Sequence, residues 1–168
     1  MNHPVIPIAV AAATRERKRQ APKGRTVLPQ ALDDVRALIG AGPWRRDLLI
    51  EYLHAIQDAR GQLGAHHLAA LARLLGLAQT EVYEVASFYH HFDVVKEGPD
   101  GSIAAPAALT VRVCDGLSCE MAGAKDLLAR LPGILGREVR VTAAPCVGRC
   151  EQAPVAVVHQ KPVLQADA

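Results

Sequence analysis

The first half of the chain has the apolar spacing of amphipathic helices. From Leu28 to about Phe92, apolar residues recur three and four positions apart, and glycines interrupt the pattern. Four helices are predicted from these apolar faces. The first face consists of Leu32, Val35, Leu38 and Ile39, and the second of Leu48, Leu49, Tyr52, Leu53 and Ile56. The third consists of Leu68, Leu71, Leu74 and Leu75, and the fourth of Val82, Val85, Ala86 and Tyr89. Short connections between them predict an antiparallel helical bundle over residues 28–95.

The second half has a period of two. A linker is predicted at residues 96–107, which contain two glycines and two prolines. After it, Leu109, Val111 and Val113 alternate with polar residues, as is typical of a half-buried strand. The later elements are a helix over Ala122–Leu131 ended by Pro132 and Gly133, a strand around Val139 and Val141, a strand over Val155–Val158, and a strand over Pro162–Leu164 that pairs back on it. The predicted fold class is α+β, with a helical bundle followed by a small sheet domain at residues 108–168.

Charge is unevenly distributed along the chain. The formal net charge is +2, but residues 1–26 contain six Lys or Arg and one Glu. This composition predicts a basic disordered tail at residues 1–27, with an organelle presequence over residues 14–25 as the alternative. A basic tail on a mildly acidic body is not typical of a dedicated nucleic-acid-binding protein.

The sequence predicts neither a membrane span nor export. No apolar run reaches the ~18–20 residues that a spanning helix needs. The apolar segment Val5–Ala13 precedes the basic cluster, which is the opposite of the order in a secretory signal. We therefore expect a cytoplasmic protein.

All four cysteines lie in the last third of the chain, in two pairs. Cys114 and Cys119 have C-x4-C spacing, Cys146 and Cys150 have C-x3-C spacing, and each pair begins where a predicted strand ends. Loops at the same end of a sheet can bring four sulfurs together. A disulfide framework is disfavoured in a chain without an export signal. Four thiolates suit an iron–sulfur cluster, and the spacing leaves a structural zinc site, or structural or redox cysteines, as alternatives.

Glycines lie inside both cysteine loops. Gly116 and Gly148 permit tight turns that bring backbone N–H groups close to sulfur, where they tune a bound metal centre. The helix predicted from Ala122 would point its positive end towards the first loop and favour an anionic cluster.

These loops and the helical half resemble the thioredoxin-like 2Fe–2S ferredoxin subunit found beside the flavin subunit in complex I and related soluble oxidoreductases. The resemblance extends over roughly residues 28–158. Its three segments are Val-Cys-Asp-Gly-Leu-Ser-Cys-Glu-Met-Ala-Gly-Ala at 113–124, Ala-Pro-Cys-Val-Gly-Arg-Cys-Glu-Gln-Ala-Pro-Val at 144–155, and Val-Ala-Ser-Phe-Tyr-His-His-Phe at 85–92.

The resemblance implies a thioredoxin-like 2Fe–2S domain at residues 108–168, with one cluster bound by Cys114, Cys119, Cys146 and Cys150. It also implies electron transfer with a partner subunit that binds FMN and NAD and has its own iron–sulfur cluster. No catalytic acid, base or substrate site is expected on this chain. The family usually ends with a helix after the last hairpin, which is expected to be short or missing in this sequence.

The first cysteine loop is most similar to the gamma subunit of soluble NAD-dependent formate dehydrogenases. That similarity implies a further, molybdenum-containing subunit that oxidises formate. The equivalent subunits of NAD-linked hydrogenases and of complex I are the near alternatives.

Two rivals come from other classes of protein. Residues 68–88 resemble a helix-turn-helix, which would make the chain a cluster-containing, redox-sensing DNA-binding protein. The would-be recognition helix carries Glu81 and Glu84 and no Arg or Lys, which disfavours contact with phosphates and bases. A thioredoxin-like dithiol enzyme would need C-x-x-C, which neither pair has.

Several side chains near these elements are expected to have structural roles only. His66 and His67 begin a helix and are expected to face solvent, and Met121 is expected to pack. Arg149, between two cysteines, has two open interpretations: it tunes the metal centre or contacts a partner, or it is a solvated loop charge.

Overall fold

The computed structural model describes residues 24–98 and 102–167 of the 168-residue chain. Most of the predicted basic tail, residues 1–23, lies outside the described residues, as do residues 99–101 of the predicted linker.

Four helices occupy the first described range, where the apolar spacing predicts them. Their bounds are Pro29–Ile39 for α1, Leu49–Arg60 for α2, Ala65–Leu75 for α3 and Gln79–Phe88 for α4, with one 3-10 turn at Arg46–Leu48. α2 and α3 end at Gly61 and Gly76, whose φ values of 74° and 67° lie in the left-handed region that favours glycine. Within the described ranges, no helix combines the length and the apolar character needed to cross a bilayer.

The four helices share one hydrophobic core. The fully buried side chains Val35, Leu53, Ile56, Leu71 and Val82 come from all four of them. Burying each such side chain contributes about 1.5–3 kcal/mol. A short parallel pair, β1 (Leu63–Gly64) with β2 (Val94–Val95), adjoins this core.

A four-stranded sheet forms the second half of the chain. Its strands are β3 (Leu109–Cys114), β4 (Val139–Ala144), β5 (Ala156–Val158) and β6 (Lys161–Val163), in the spatial order β4-β3-β5-β6. β3 and β4 are parallel, whereas β3–β5 and β5–β6 are antiparallel. Parallel neighbours need a crossover connection, and two helices between β3 and β4 supply it. The second core includes Val111, Val113, Leu127 and Val155.

The helix predicted over Ala122–Leu131 is wrong at both ends. The crossover contains two helices, α5 (Leu117–Met121) and α6 (Ala124–Leu135). Pro132 lies inside α6 and does not end it. A proline lacks the backbone N–H that would donate within the helix. Here the missing donor is in the last turn of α6. The N–H of Gly136 completes that turn by donating to the carbonyl of Pro132 at 3.2 Å.

One buried arginine joins the two halves. Arg112 on β3 is 6% exposed. Its guanidinium donates to the carbonyls of His90 and His91 at 3.0 and 2.7 Å, and to one carboxylate oxygen of Asp93 at 3.1 Å. Arg140 on β4 contacts the other carboxylate oxygen of Asp93. The segment after α4 is therefore fixed to both parallel strands.

Helix α2 holds the same segment from the other side. The side-chain amide of Gln57, which is buried, donates to the carbonyl of His91 at 2.8 Å. Its oxygen accepts the backbone N–H of Asp93 at 2.6 Å. The carbonyl of Asp93 in turn accepts the N–H of Leu63 at 2.8 Å. Through these bonds, the segment that contacts the sheet is also attached to α2 and β1 in the helical half.

We expect Arg112→Met to lower the free energy of unfolding of the chain by about 2–4 kcal/mol, because it leaves buried acceptors without a donor. Urea denaturation followed by circular dichroism measures this change. Arg137→Met is the matched control, since Arg137 is exposed and its replacement should stay within about 0.5 kcal/mol of wild type. Equal stabilities of the two variants would contradict the importance of the junction.

The expectation that His66 and His67 face solvent is wrong for His67, which is 7% exposed. The two Nε2 atoms are 3.1 Å apart, and within the described residues the buried Nδ1 of His67 has no hydrogen-bond partner. Burial, with smaller contributions from His66 and Arg60, lowers the pKa of His67 to about 4. The folded chain therefore keeps this imidazole neutral well below its ordinary pKa.

Stability should fall as the pH is lowered from about 6.5 to about 4. In this window an unfolded chain binds a proton at His67 and the folded chain does not, so protonation favours unfolding by at most about 3 kcal/mol. Urea titrations at several pH values should show a shallower pH dependence for His67→Gln than for wild type. His90→Gln, at an exposed histidine, should keep the wild-type slope. Identical slopes for all three proteins would rule out His67 as a source of the dependence.

Candidate metal centre

The parallel pairing of β3 and β4 places both cysteine loops at one edge of the sheet. Cys114 is the last residue of β3 and lies opposite Ala144, the last residue of β4. Cys146 follows two residues later. The N–H of Asp115 donates to the carbonyl of Ala144 at 2.9 Å, and the N–H of Cys114 donates to that of Val155 at 2.9 Å. The backbone thus binds the start of the first loop to the end of β4 and to the residue that precedes β5.

The first pair of cysteines is buried. Cys114 is 1% and Cys119 2% exposed, and both belong to the core under the sheet. Cys119 lies in α5, which begins after Gly116. Burial, reinforced by a hydrogen bond with Cys114, raises the pKa of the Cys119 thiol. A bound cation would have to offset that effect to hold both sulfurs as thiolates.

The second pair is exposed, and its sulfurs are close together. The Sγ atoms of Cys146 and Cys150 are 3.5 Å apart. Two thiolates at about 2.3 Å from one tetrahedral metal lie roughly 3.8 Å apart. The pair is therefore spaced as two ligands of a single metal atom.

Backbone and neighbouring thiols set the acidity of this second pair. The N–H of Gly148 donates to Sγ of Cys146 at 3.4 Å, and this bond, followed by one with Cys150, lowers the pKa of Cys146. The hydrogen bond with Cys146 raises the pKa of Cys150, while Ser118 acts in the opposite direction. The loop thus offers a backbone donor to sulfur, as the glycine in its sequence predicts. Such donors stabilise metal-bound thiolates.

The two loops meet at Gly116. A Cβ at this position would lie 3.2 Å from Cβ of Cys146 and 3.5 Å from Sγ of Cys114. Cys114 contributes to the lowered pKa of Cys146, and Cys150 contributes to the raised pKa of Cys119. The structure therefore places the two cysteine loops, each with one of the predicted pairs, against each other.

A cluster of two irons fits this arrangement. Across residues 24–98 and 102–167, no three His, Cys, Asp or Glu side chains lie close enough to share a single metal ion. A 2Fe–2S cluster needs no such group, because its four cysteines surround two metal atoms. The donor set of four sulfurs, two buried and two exposed, suits a cluster at the edge of the protein.

Apolar side chains stand exposed around the loops. Leu117 and Met121 lie four residues apart on α5, with exposed fractions of 74% and 82%, and Val147 is 37% exposed. The expectation that Met121 packs in the protein is therefore wrong. Arg149 is also exposed, and no ion pair is seen for it within the described ranges. These residues give the site an apolar rim with one cation.

The polar residues at the end of α4 and on its first turn lie away from the cysteines. His90 is exposed, and the carbonyls of His90 and His91 accept the Arg112 guanidinium at the junction of the two halves. Glu81 pairs with Arg46. Sequence reasoning missed the junction itself, because Arg112 occupies the polar position of an alternating strand and gives no signal of burial.

The fold and this site correspond to a known family. The model of the thioredoxin-like 2Fe-2S ferredoxin family matches residues 35–168, and the chain belongs to that family. NADH-quinone oxidoreductase subunit 2 of Thermus thermophilus is 32% identical over 130 residues, covering 72% of this chain and 67% of that protein. NADP-reducing hydrogenase subunit HndA of Solidesulfovibrio fructosivorans is 27% identical over 145 residues, 80% of each chain.

A solved structure shows the same likeness in three dimensions. The crystal structure of an NAD+-reducing NiFe-hydrogenase in the air-oxidized state matches with a TM-score of 0.54 and 28% identity. The match covers 72% of this chain and 21% of that chain. This chain thus spans about a fifth of the hydrogenase chain that it matches. The α+β, thioredoxin-like fold predicted from the sequence is confirmed.

We expect Gly116→Val to reduce the iron and acid-labile sulfide bound per chain to below half of the wild-type amount, because the added carbons push the Cys146 loop away from Cys114. Gly133→Val is the matched control, since a Cβ there would meet nothing within 4 Å. Chemical analysis of both proteins after anaerobic purification measures the effect, with circular dichroism to check folding. Full iron and sulfide in a folded Gly116→Val chain would contradict this packing.

Proposed function

We propose that this chain is an electron-transfer subunit with one 2Fe–2S cluster bound by Cys114, Cys119, Cys146 and Cys150. The observation that carries the proposal is the meeting of the two cysteine loops at one sheet edge, with the exposed sulfurs 3.5 Å apart. Membership of the ferredoxin family supports the choice of cluster over zinc.

The chain's own residues hold, shield and orient the centre. Buried Cys114 and Cys119 would anchor it to the core, and exposed Cys146 and Cys150 would complete the ligand set. The N–H of Gly148 favours a thiolate at Cys146. When bound, a 2Fe–2S cluster accepts and donates one electron at a time. We expect no catalytic acid or base on this chain.

We propose that the partner is a subunit that binds FMN and NAD and has an iron–sulfur cluster of its own. The similar proteins named above are subunits of NADH-quinone oxidoreductases and of an NADP-reducing hydrogenase. The exposed Leu117, Met121 and Val147 suit burial against such a partner. Docking there would bring the exposed sulfurs, and therefore the electron, close to the flavin.

For the complete enzyme we propose a soluble, cytoplasmic NAD-dependent formate dehydrogenase with a molybdenum-containing subunit. This proposal is supported by the amino-acid sequence of the first cysteine loop, Cys-Asp-Gly-Leu-Ser-Cys-Glu-Met-Ala-Gly at residues 114–123, which resembles the gamma subunit of such enzymes. A hydrogenase or a quinone reductase would use this subunit in the same way.

The full chain, purified anaerobically, should contain about two irons and two acid-labile sulfides and give a spin-half EPR signal after dithionite reduction. Cys114→Ser and Cys146→Ala should each lose or perturb that signal while the helical half stays folded, because each removes one sulfur ligand. His90→Ala is the control and should keep the wild-type spectrum. Zinc without sulfide in the wild-type chain would overturn the electron-transfer role, and unchanged spectra in both cysteine variants would overturn the ligand assignment.

The complete enzyme is tested by purifying an affinity-tagged chain with its natural partners. Molybdenum in the complex and NAD+ reduction driven by formate support the formate system. Nickel with hydrogen-driven reduction of NAD+, or NADH-driven reduction of quinone without formate or hydrogen oxidation, overturns that assignment and leaves the role of this subunit intact.

A further inference from the structure

The two cysteine pairs differ in their access to solvent. Cys114 and Cys119 are 1% and 2% exposed, so a dissolved reagent cannot reach their sulfurs without opening the core. Cys146 and Cys150 are both exposed and unpaired by any disulfide. Only the second pair offers its sulfurs to a small reagent in solution.

The second pair is also within easy reach of bond formation. Its Sγ atoms are 3.5 Å apart, and a disulfide bond is about 2.05 Å long. Residues 145–149 belong to no helix or strand, and Gly148 turns the loop with a φ of 76°. Small rotations of two exposed side chains can therefore close the remaining gap, and no core side chain has to move.

We propose that Cys146 and Cys150 form a reversible disulfide whenever the chain is without its cluster and meets a small disulfide such as glutathione disulfide. One cysteine thiol attacks glutathione disulfide, forming a mixed disulfide and releasing one glutathione thiol. The second cysteine then displaces the other glutathione. The two cysteines are oxidised by two electrons, and one glutathione disulfide is reduced to two glutathione thiols that carry the two protons.

The disulfide protects the chain and controls loading of the metal centre. It withdraws two thiols from irreversible oxidation. It also withholds two sulfurs from iron, so that the cluster can be inserted only after reduction. This second consequence rests on the proposed function, whereas formation of the disulfide does not. Disulfides of this transient kind are the ones found in reducing compartments.

Mass spectrometry of the cluster-free full chain tests the proposal. After anaerobic chelation and reduction, the chain is incubated with glutathione disulfide, and its free thiols are alkylated. The expected product is about 2 Da lighter before alkylation, with Cys146 linked to Cys150 and with Cys114 and Cys119 alkylated after denaturation. Dithiothreitol should restore four free thiols.

Matched variants separate this bond from other products. Cys119→Ser should still form the linkage, whereas Cys150→Ser should keep glutathione attached to Cys146. In the wild-type chain, stable glutathione adducts on both residues, or a linkage that includes Cys114 or Cys119, would overturn the proposal.

Reconstitution with ferrous iron and sulfide supplies the second readout. The oxidised chain should gain the cluster's visible absorption only after dithiothreitol is added. Equal cluster insertion with and without the reductant would overturn the proposal that the disulfide controls cluster insertion. If the disulfide forms but even the reduced chain never takes up a cluster, the proposed function fails while the disulfide stands.

Discussion

The guanidinium of Arg112 holds the helical half and the sheet of this protein in a single arrangement. Taking a cation out of water is unfavourable by several kcal/mol unless it is well paired. Here two backbone carbonyls and the Asp93 carboxylate surround it. Because Cys114 lies two residues further along the same strand, these contacts also set where the first cysteine loop stands relative to the helices.

The position of the second loop depends on the pairing of β4 with β3. The parallel register sets Ala144 opposite Cys114, so the chain leaves both strands at the same edge. A shift by one residue would turn every side chain of β4 to the other face of the sheet. The register and the buried arginine therefore act together, since Arg140 on β4 contacts the same Asp93 carboxylate.

The sequence predicts the parts of this protein that depend on local patterns. Apolar spacing locates α1 to α4, and the C-x4-C and C-x3-C pairs at strand ends predict that the loops meet. The sequence does not predict the features that depend on tertiary contacts. Arg112 and His67 are polar residues in ordinary positions, and only the packing of the two halves makes them buried. Pro132 normally ends a helix, but a turn completed by Gly136 keeps α6 intact for three residues more.

The crossover between β3 and β4 also decides when the metal centre can be built. During synthesis, Cys114 leaves the ribosome first, then α5 with Cys119, then α6 and β4, and only then Cys146 and Cys150. At about 5–20 residues per second, a growing chain spends seconds with half of its sulfurs. Even when all four cysteines have been synthesised, the two pairs stay apart until β4 has docked beside β3. Assembly of the proposed cluster therefore requires iron and sulfide that arrive after β4 has docked beside β3.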